Sequence, residues 1–213
     1  TKAGALKSAI LRILGVREKS KEIAEKTLKI DRLNLAALYE LRGIDDVMET
    51  IGNNSDAILE LAAEYANAGV FNDAISILNS FRLKYFEAEN TPPMIFYYLS
   101  YYYRTTGNEE DANKMLILGH KADYSYCFPH RPEDIAPLNH AILHNPKDNM
   151  AYYYLGCFWY DKRQFEKALS CWETSKNLDS SFPAVHRNLS IGYFNKMNRL
   201  VLASQEMRKS FSL

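Results

Sequence analysis

Residues 149–182, NMAYYYLGCFWYDKRQFEKALSCWETSKNLDSSF, decide the fold. In the first half Tyr152, Leu155, Gly156 and Trp159 share one face of a helix expected over 150–162. In the second half Ala168, Trp172 and Ser175 fall four and three residues apart, on one stripe of a helix expected over 165–178. A glycine inside a helix costs about 1 kcal/mol relative to alanine. Gly156 is therefore read as the place where the second helix comes close against the first.

The same pattern recurs along the chain. Beginning 34 residues on (183 − 149 = 34), Pro183 opens a copy with His186, Leu189, Ser190 and Tyr193 at the matching places. Its second helix carries Ala203 and Ser210 one position late, which implies an extra turn residue near 197–200. Upstream, 55–86 repeats the pattern with Ile58, Leu61, Ala62, Tyr65, Gly69, Ala74 and Leu78. Another copy starts near Pro93 with Phe96, Leu99, Ser100, Tyr103, Gly107, Ala112 and Leu116. These two starts lie 93 − 55 = 38 residues apart, so the earlier copy has a longer second helix or a longer linker before Pro92 and Pro93. Gly69 and Gly107 fall at the turns, where a positive φ suits glycine.

Two stretches break the pattern. Residues 1–54 read as degenerate repeat material, with Gly15 at a turn, Ala24 and Leu28 on a following helix, and two short helices over 35–41 and 45–51. Residues 125–148 read as an irregular insert, Phe128-Pro129-His130-Arg131-Pro132, followed by one apolar helix over 133–144 that resembles the second half of a repeat. The expected organisation is thus 1–54, 55–124, 125–148 and 149–213 in one continuous array.

Leu155, Gly156, Trp159, Ala168, Trp172 and Ser175 stand at the spacings of the tetratricopeptide repeat, and the chain resembles that superfamily over most of 55–213. Units of this length stack so that each covers its neighbour's apolar face. The resemblance implies an all-α fold, a right-handed superhelix (α-solenoid) of stacked antiparallel helix pairs, acting as a non-enzymatic scaffold for a protein partner. A narrower resemblance rests on Cys127-Phe128-Pro129-His130-Arg131, Tyr153-Tyr154-Leu155-Gly156 and His186-Arg187-Asn188-Leu189. These are similar to repeat segments of large bacterial proteins that couple such an array to a mutarotase-like β-rich domain of uncharacterised function. That likeness implies a carbohydrate-related setting as an alternative; a structural spacer or dimerisation module is a third reading.

Bulk composition narrows the function classes. The chain has 213 residues, 26 Lys+Arg against 26 Asp+Glu, and 15 Tyr with 10 Phe. Zero formal net charge lacks the basic footprint of a nucleic-acid binder, so no nucleic acid is expected. No apolar run approaches the roughly 18 residues of a membrane span, so no membrane insertion is expected. The chain opens on Thr1 without a signal-like stretch and is read as a piece of a longer protein, its compartment (cytoplasmic or periplasmic) left open. Oligomeric state is not legible.

In stacked helix pairs the inner surface is lined by the first helix of each pair. The positions that face it give Tyr97, Tyr98, Tyr101 and Arg104 from one unit. The next unit gives Tyr153, Tyr154, Cys157, Tyr160 and Asp161, and the last gives Arg187, Asn188, Ile191 and Phe194. Tyrosine with interspersed Arg and Asn is the composition of a recognition surface. Any one tyrosine could instead pack between helices, yet Tyr97, Tyr98 and Tyr101 are not expected to point inward together from one helix. The partner would be a peptide, a protein, or another domain of the same chain, with Arg104 or Arg187 reading an acidic group. The superfamily's grip on a C-terminal carboxylate, through Lys and Asn, is not implied, because Tyr153, Cys157 and Tyr160 hold those positions.

Catalytic and metal chemistry is weak in the sequence. His130 beside Arg131 could serve acid–base work, but a rigid corner tied to helix ends is the preferred reading. His140 and His144, four apart, have metal-compatible spacing without an HExxH arrangement. No metal and no cofactor is expected. Cys127, Cys157 and Cys171 show no CxxC spacing, and Cys157 and Cys171 read as small buried hydrophobes. His186 reads as a hydrogen-bonded core histidine, and Glu109-Glu110-Asp111 as the acidic start of a helix.

Overall fold

The computed structural model describes residues 2–86 and 90–213. Among them every regular element is helical, and the α-helices number thirteen. The chain divides into two units, Thr1–Ala88 and Glu89–Leu213. The division falls in the 38-residue interval where the repeat spacing stretches. Any continuation of the earlier copy over 87–89 lies outside the described residues.

The first unit holds α1 (Lys2–Ile13), α2 (Arg17–Ile30), α3 (Leu35–Arg42), α4 (Ile44–Ile51), α5 (Ser55–Asn67) and α6 (Phe71–Tyr85). The two short helices expected in the degenerate segment are α3 and α4. Asn34 and Asn54 cap α3 and α5 by accepting backbone N–H bonds at 2.9–3.1 Å; such caps contribute about 1 kcal/mol each. A polar knot ties four helices together. Arg12 donates to Glu40 and Asp73, Tyr65 Oη donates to Glu40 at 2.7 Å, and Tyr39 Oη donates to Asp73 at 3.1 Å.

The second unit holds α7 (Pro93–Thr105), α8 (Glu109–Lys121), a 3-10 turn (Pro132–Asp134), α9 (Ile135–His144), α10 (Asn149–Asp161), α11 (Phe165–Leu178), α12 (Pro183–Asn195) and α13 (Leu200–Ser212). Consecutive helices pair as α7 with α8, α10 with α11 and α12 with α13, as α1 pairs with α2 and α5 with α6. The second helix of each pair presents one alanine to its partner: Ala24, Ala74, Ala112, Ala168 and Ala203 are all buried. Four residues join α12 to α13 where three join α10 to α11, the extra turn residue that the late Ala203 implies.

The turns share one geometry with different residues. Gly15, Gly69 and Gly107 take φ of 78–83°, while Arg163 and Asn198 adopt the same left-handed region at 58° and 52°. At Gly156 the close approach has a named cause. A Cβ there would lie 2.4 Å from the Trp172 indole, whose Nε1 donates to the Tyr153 carbonyl at 3.1 Å.

α9, expected from its spacing to be the second half of a repeat whose first half is missing, is not paired with the α-helix before it. It packs against α7 and α10, both first helices of their pairs. Together with the preceding insert it covers α7 on a side that a regular array leaves open. Tyr97 and Tyr98 are consequently interior, at 0% and 1% exposure, and Tyr154 of α10 joins them at 0%. Adjacent residues of one helix can be buried together because α7 is enclosed by α8 on one side and by α9 on another.

Candidate functional site

An open cleft of about 320 Å³ lies in the second unit between α10 and α12. Tyr153, Cys157 and Tyr160 recur four and three residues apart and so form a single stripe on α10. Arg187, Asn188 and Ile191 provide the facing stripe on α12, and Trp172 of α11 completes the lining. The remaining wall is Phe128, Pro129 and His130 of the insert.

The insert is held in place by one carboxylate. Asp134 is fully buried; its Oδ2 accepts the backbone N–H groups of His130 and Arg131 at 2.9 Å each. Its Oδ1 accepts Tyr98 Oη at 2.7 Å and Arg131 Nη2 at 3.3 Å. Burial first, then the Asp134 charge, pushes the Tyr98 phenol far above its usual range, so it stays a donor. At the insert's start, the Tyr124 ring meets Phe182 edge-on at 4.8 Å, and Phe182 meets Tyr153 at 4.8 Å. Arg131 therefore belongs to the scaffold. His130 is exposed at the cleft wall, its Nδ1 3.0 Å from the Phe128 carbonyl.

Charge is sparse around the cleft. Asp161 pairs with its neighbour Lys162 at 2.8 Å. The Arg187 side chain is exposed and donates only to Asn188 Oδ1, at 3.3 and 3.4 Å; no carboxylate among the described residues pairs with it. Asn188 in turn reaches Cys157 Sγ at 3.6 Å. Burial raises the Cys157 thiol to about 11, so at neutral pH it is a thiol and not a thiolate nucleophile.

A second cleft of about 360 Å³ adjoins the first and shares Phe128, Tyr153 and Arg187 with it. Tyr124 and Tyr126 flank it, the latter 94% exposed with φ of 59°. Pro183 and Ala184 at the start of α12 and Ser210 of α13 complete the lining.

Of the residues expected on the inner surface, Tyr153, Tyr160, Arg187 and Asn188 come together here. Tyr97, Tyr98 and Tyr154 do not, because the insert and α9 take the place a ligand would need. The Tyr97 hydroxyl donates to Asp148, the N-cap of α10, at 3.1 Å. Tyr101 lies against His140, ring centroids 5.7 Å apart, and Arg104 is engaged by Glu109 and Asn113. Phe194 lines a separate apolar cleft of about 540 Å³ between α12 and α13, with Met207 and Phe211. Sequence reasoning missed Phe128 and Pro129 as lining residues and gave Trp172 to packing alone. The one available signal was an aromatic–proline pair inside a non-helical break.

Among the described residues no three His, Cys, Asp or Glu side chains gather as metal ligands, and no helix is long and apolar enough to cross a membrane. His186 is a core histidine, with Nδ1 2.5 Å from Glu206 and Nε2 3.0 Å from the Ser180 carbonyl.

No family model and no curated protein matches the chain. Solved structures similar to it include MamA, at 18% identity over 96% of this chain and 92% of that one, with a TM-score of 0.36. Residues 41 to the end of MamA from Desulfovibrio magneticus RS-1 give 16% identity over 92% of this chain and 94% of that one, with a TM-score of 0.39. YrrB, described as a TPR protein with an unusual peptide-binding site, gives 15% identity over 96% and 81%, with a TM-score of 0.37. Likenesses at that level carry no argument about this chain. The all-α, pairwise architecture rests on its own helices.

Proposed function

We propose that this protein is a non-enzymatic interaction scaffold whose second unit binds a segment of a protein partner, or of another domain of its own chain, in the α10–α12 cleft. The observation that carries the reading is a concave, aromatic-lined cleft whose polar groups, Arg187 and Asn188, are held by only long or weak bonds. Bulky rings beside a few hydrogen-bonding groups are how anchor residues of a partner are captured. Within this reading the narrower resemblance names one candidate for the intramolecular partner, a mutarotase-like β-rich domain.

The test is selection of linear dodecapeptides from a displayed random library against the full chain, then calorimetry on wild type and Tyr160→Ala. Tyr160 is half-buried at the cleft with its ring against Phe165 and Trp172 of α11, so thermal melting of Tyr160→Ala is read beside affinity to check that the α10–α11 pair stays folded. Affinity should fall about tenfold or more. Selected peptides that bind Tyr160→Ala and Asn188→Ala as well as wild type would place recognition elsewhere.

A further inference from the structure

Resting on that reading of the cleft, we infer that its occupant is an extended peptide carrying a bulky apolar residue and, within two residues of it, an aspartate or glutamate side chain held by Arg187.

Charge complementarity carries the inference. Arg187 is the one charged side chain shared by the two adjoining clefts, and among the described residues it has no carboxylate partner. A guanidinium offers five N–H donors in a planar fork that fits a carboxylate with two parallel bonds, and Asn188 engages only part of that fork, at long range. Its surroundings include Tyr153, Phe128 and Ile191, apolar surface that a bound peptide would close over, and an ion pair covered in that way is screened less by water. Among the described residues the only other full charge lining the first cleft, Asp161, is already offset by Lys162. The site as it stands therefore presents a net unmet positive charge against apolar walls.

Because both anchors line one cleft, its length bounds how far apart they can be. The stripe from Tyr153 to Tyr160 extends about 10 Å at a rise of 1.5 Å per residue. That length matches about three residues of extended chain at 3.3 Å each. Cys157, Tyr160 and Trp172 line the part for the apolar anchor. Arg187 bridges to the second cleft, where exposed Tyr126 and Phe128 offer further ring surface to the peptide beyond the acid. Since the insert supplies that surface, the segment that closes α7 to ligands is also the wall that makes this cleft selective.

The experiment uses the peptides selected above, resynthesised with acetylated and amidated ends so that only side chains carry charge. Aspartate or glutamate within two residues of a bulky apolar position should be enriched. Arg187→Gln should weaken these peptides about tenfold or more. Arg187→Glu should abolish binding of the acidic peptide and confer binding on its Lys-substituted counterpart. Arg187 is exposed, so both variants should melt like wild type. Peptides that lose affinity with Tyr160→Ala but show no acidic enrichment and ignore Arg187→Gln would overturn this inference and leave the cleft reading intact. Binding that returns only with a free C-terminal carboxylate would also overturn it, by moving the anion to the chain end. Peptides indifferent to Tyr160→Ala, or a selection that yields none, would remove the cleft reading and this inference with it.

Discussion

At the scale of single residues, the most constrained position is Gly156. Any Cβ there enters the Trp172 ring at 2.4 Å, and that ring is packed flat enough on α10 to donate to the Tyr153 carbonyl. Gly156→Ala should cost about 2–3 kcal/mol in urea unfolding, since the indole is boxed in by Tyr160 as well. A change below 0.5 kcal/mol would mean that Trp172 moves aside freely. His140 sets a pH dependence. Burial, then His144 and Arg104, lowers its pKa to about 4, and Ser100 and the Tyr101 ring face it from α7. The unfolded chain takes up that proton near pH 6.5 while the folded one refuses it until about pH 4, so stability falls as pH drops through this window. Between pH 7 and 5 the loss should be about 1–2 kcal/mol. His120 works in the opposite direction, because its bond to Asp148 raises its pKa and so adds stability on the acid side. The His140 contribution is isolated by comparing wild type with His140→Gln, whose unfolding free energy should lose that part of the slope. Both residue features differ in legibility. The glycine in an otherwise good helix announces a close neighbour, whereas the His140 environment is made by α7, which no local spacing reveals.

At the scale of elements, the chemistry of the helix ends is local. Asn34, Asn54, Asn108 and Asp148 each cap the helix that follows them, within three residues of the cap. The turn between α10 and α11 shows a cost hidden by the pattern, since Arg163 occupies the left-handed conformation that Gly69 and Gly107 occupy elsewhere. Arg163→Gly should therefore raise stability by about 0.5–1 kcal/mol, read as an increased urea midpoint at unchanged slope. The insert is the element that could not be read. Its order depends on Asp134 meeting Tyr98, 36 residues away in sequence, and periodicity carries no information about such a contact. Asp134→Asn replaces one of two acceptor oxygens with an amide donor, so the four donors from His130, Arg131 and Tyr98 can no longer all be accepted. It should cost about 3 kcal/mol and bring fast hydrogen exchange to the amides of His130 and Arg131 while the α12–α13 pair keeps its protection. Unchanged exchange at those two amides would show that the ring contacts of Tyr124 and Phe182 hold the insert without the carboxylate.

At the scale of the whole molecule, the recurring helix pair was legible and the enclosure of α7 was not, which is why Tyr97, Tyr98 and Tyr154, expected to meet a partner, are instead core. Regular spacing describes how one pair follows another; it is silent about a segment folding back over the first helices. The second unit has a core of its own, built from Tyr97, Tyr98, Leu99, Tyr154, Phe158, Trp172, Val185 and Leu189, all buried. Every described residue lining its cleft comes from 128–191, inside that unit. Helical arrays tolerate truncation at a boundary between pairs, because stability is close to a sum over neighbouring units. A fragment of residues 90–213 should thus retain a cooperative thermal transition and bind the selected peptides within about twofold of the full chain. Loss of cooperative melting would show that the core above depends on residues 1–89. A cooperative fragment that no longer binds would instead move the recognition surface out of the α10–α12 cleft, since none of the described residues lining that cleft has been removed.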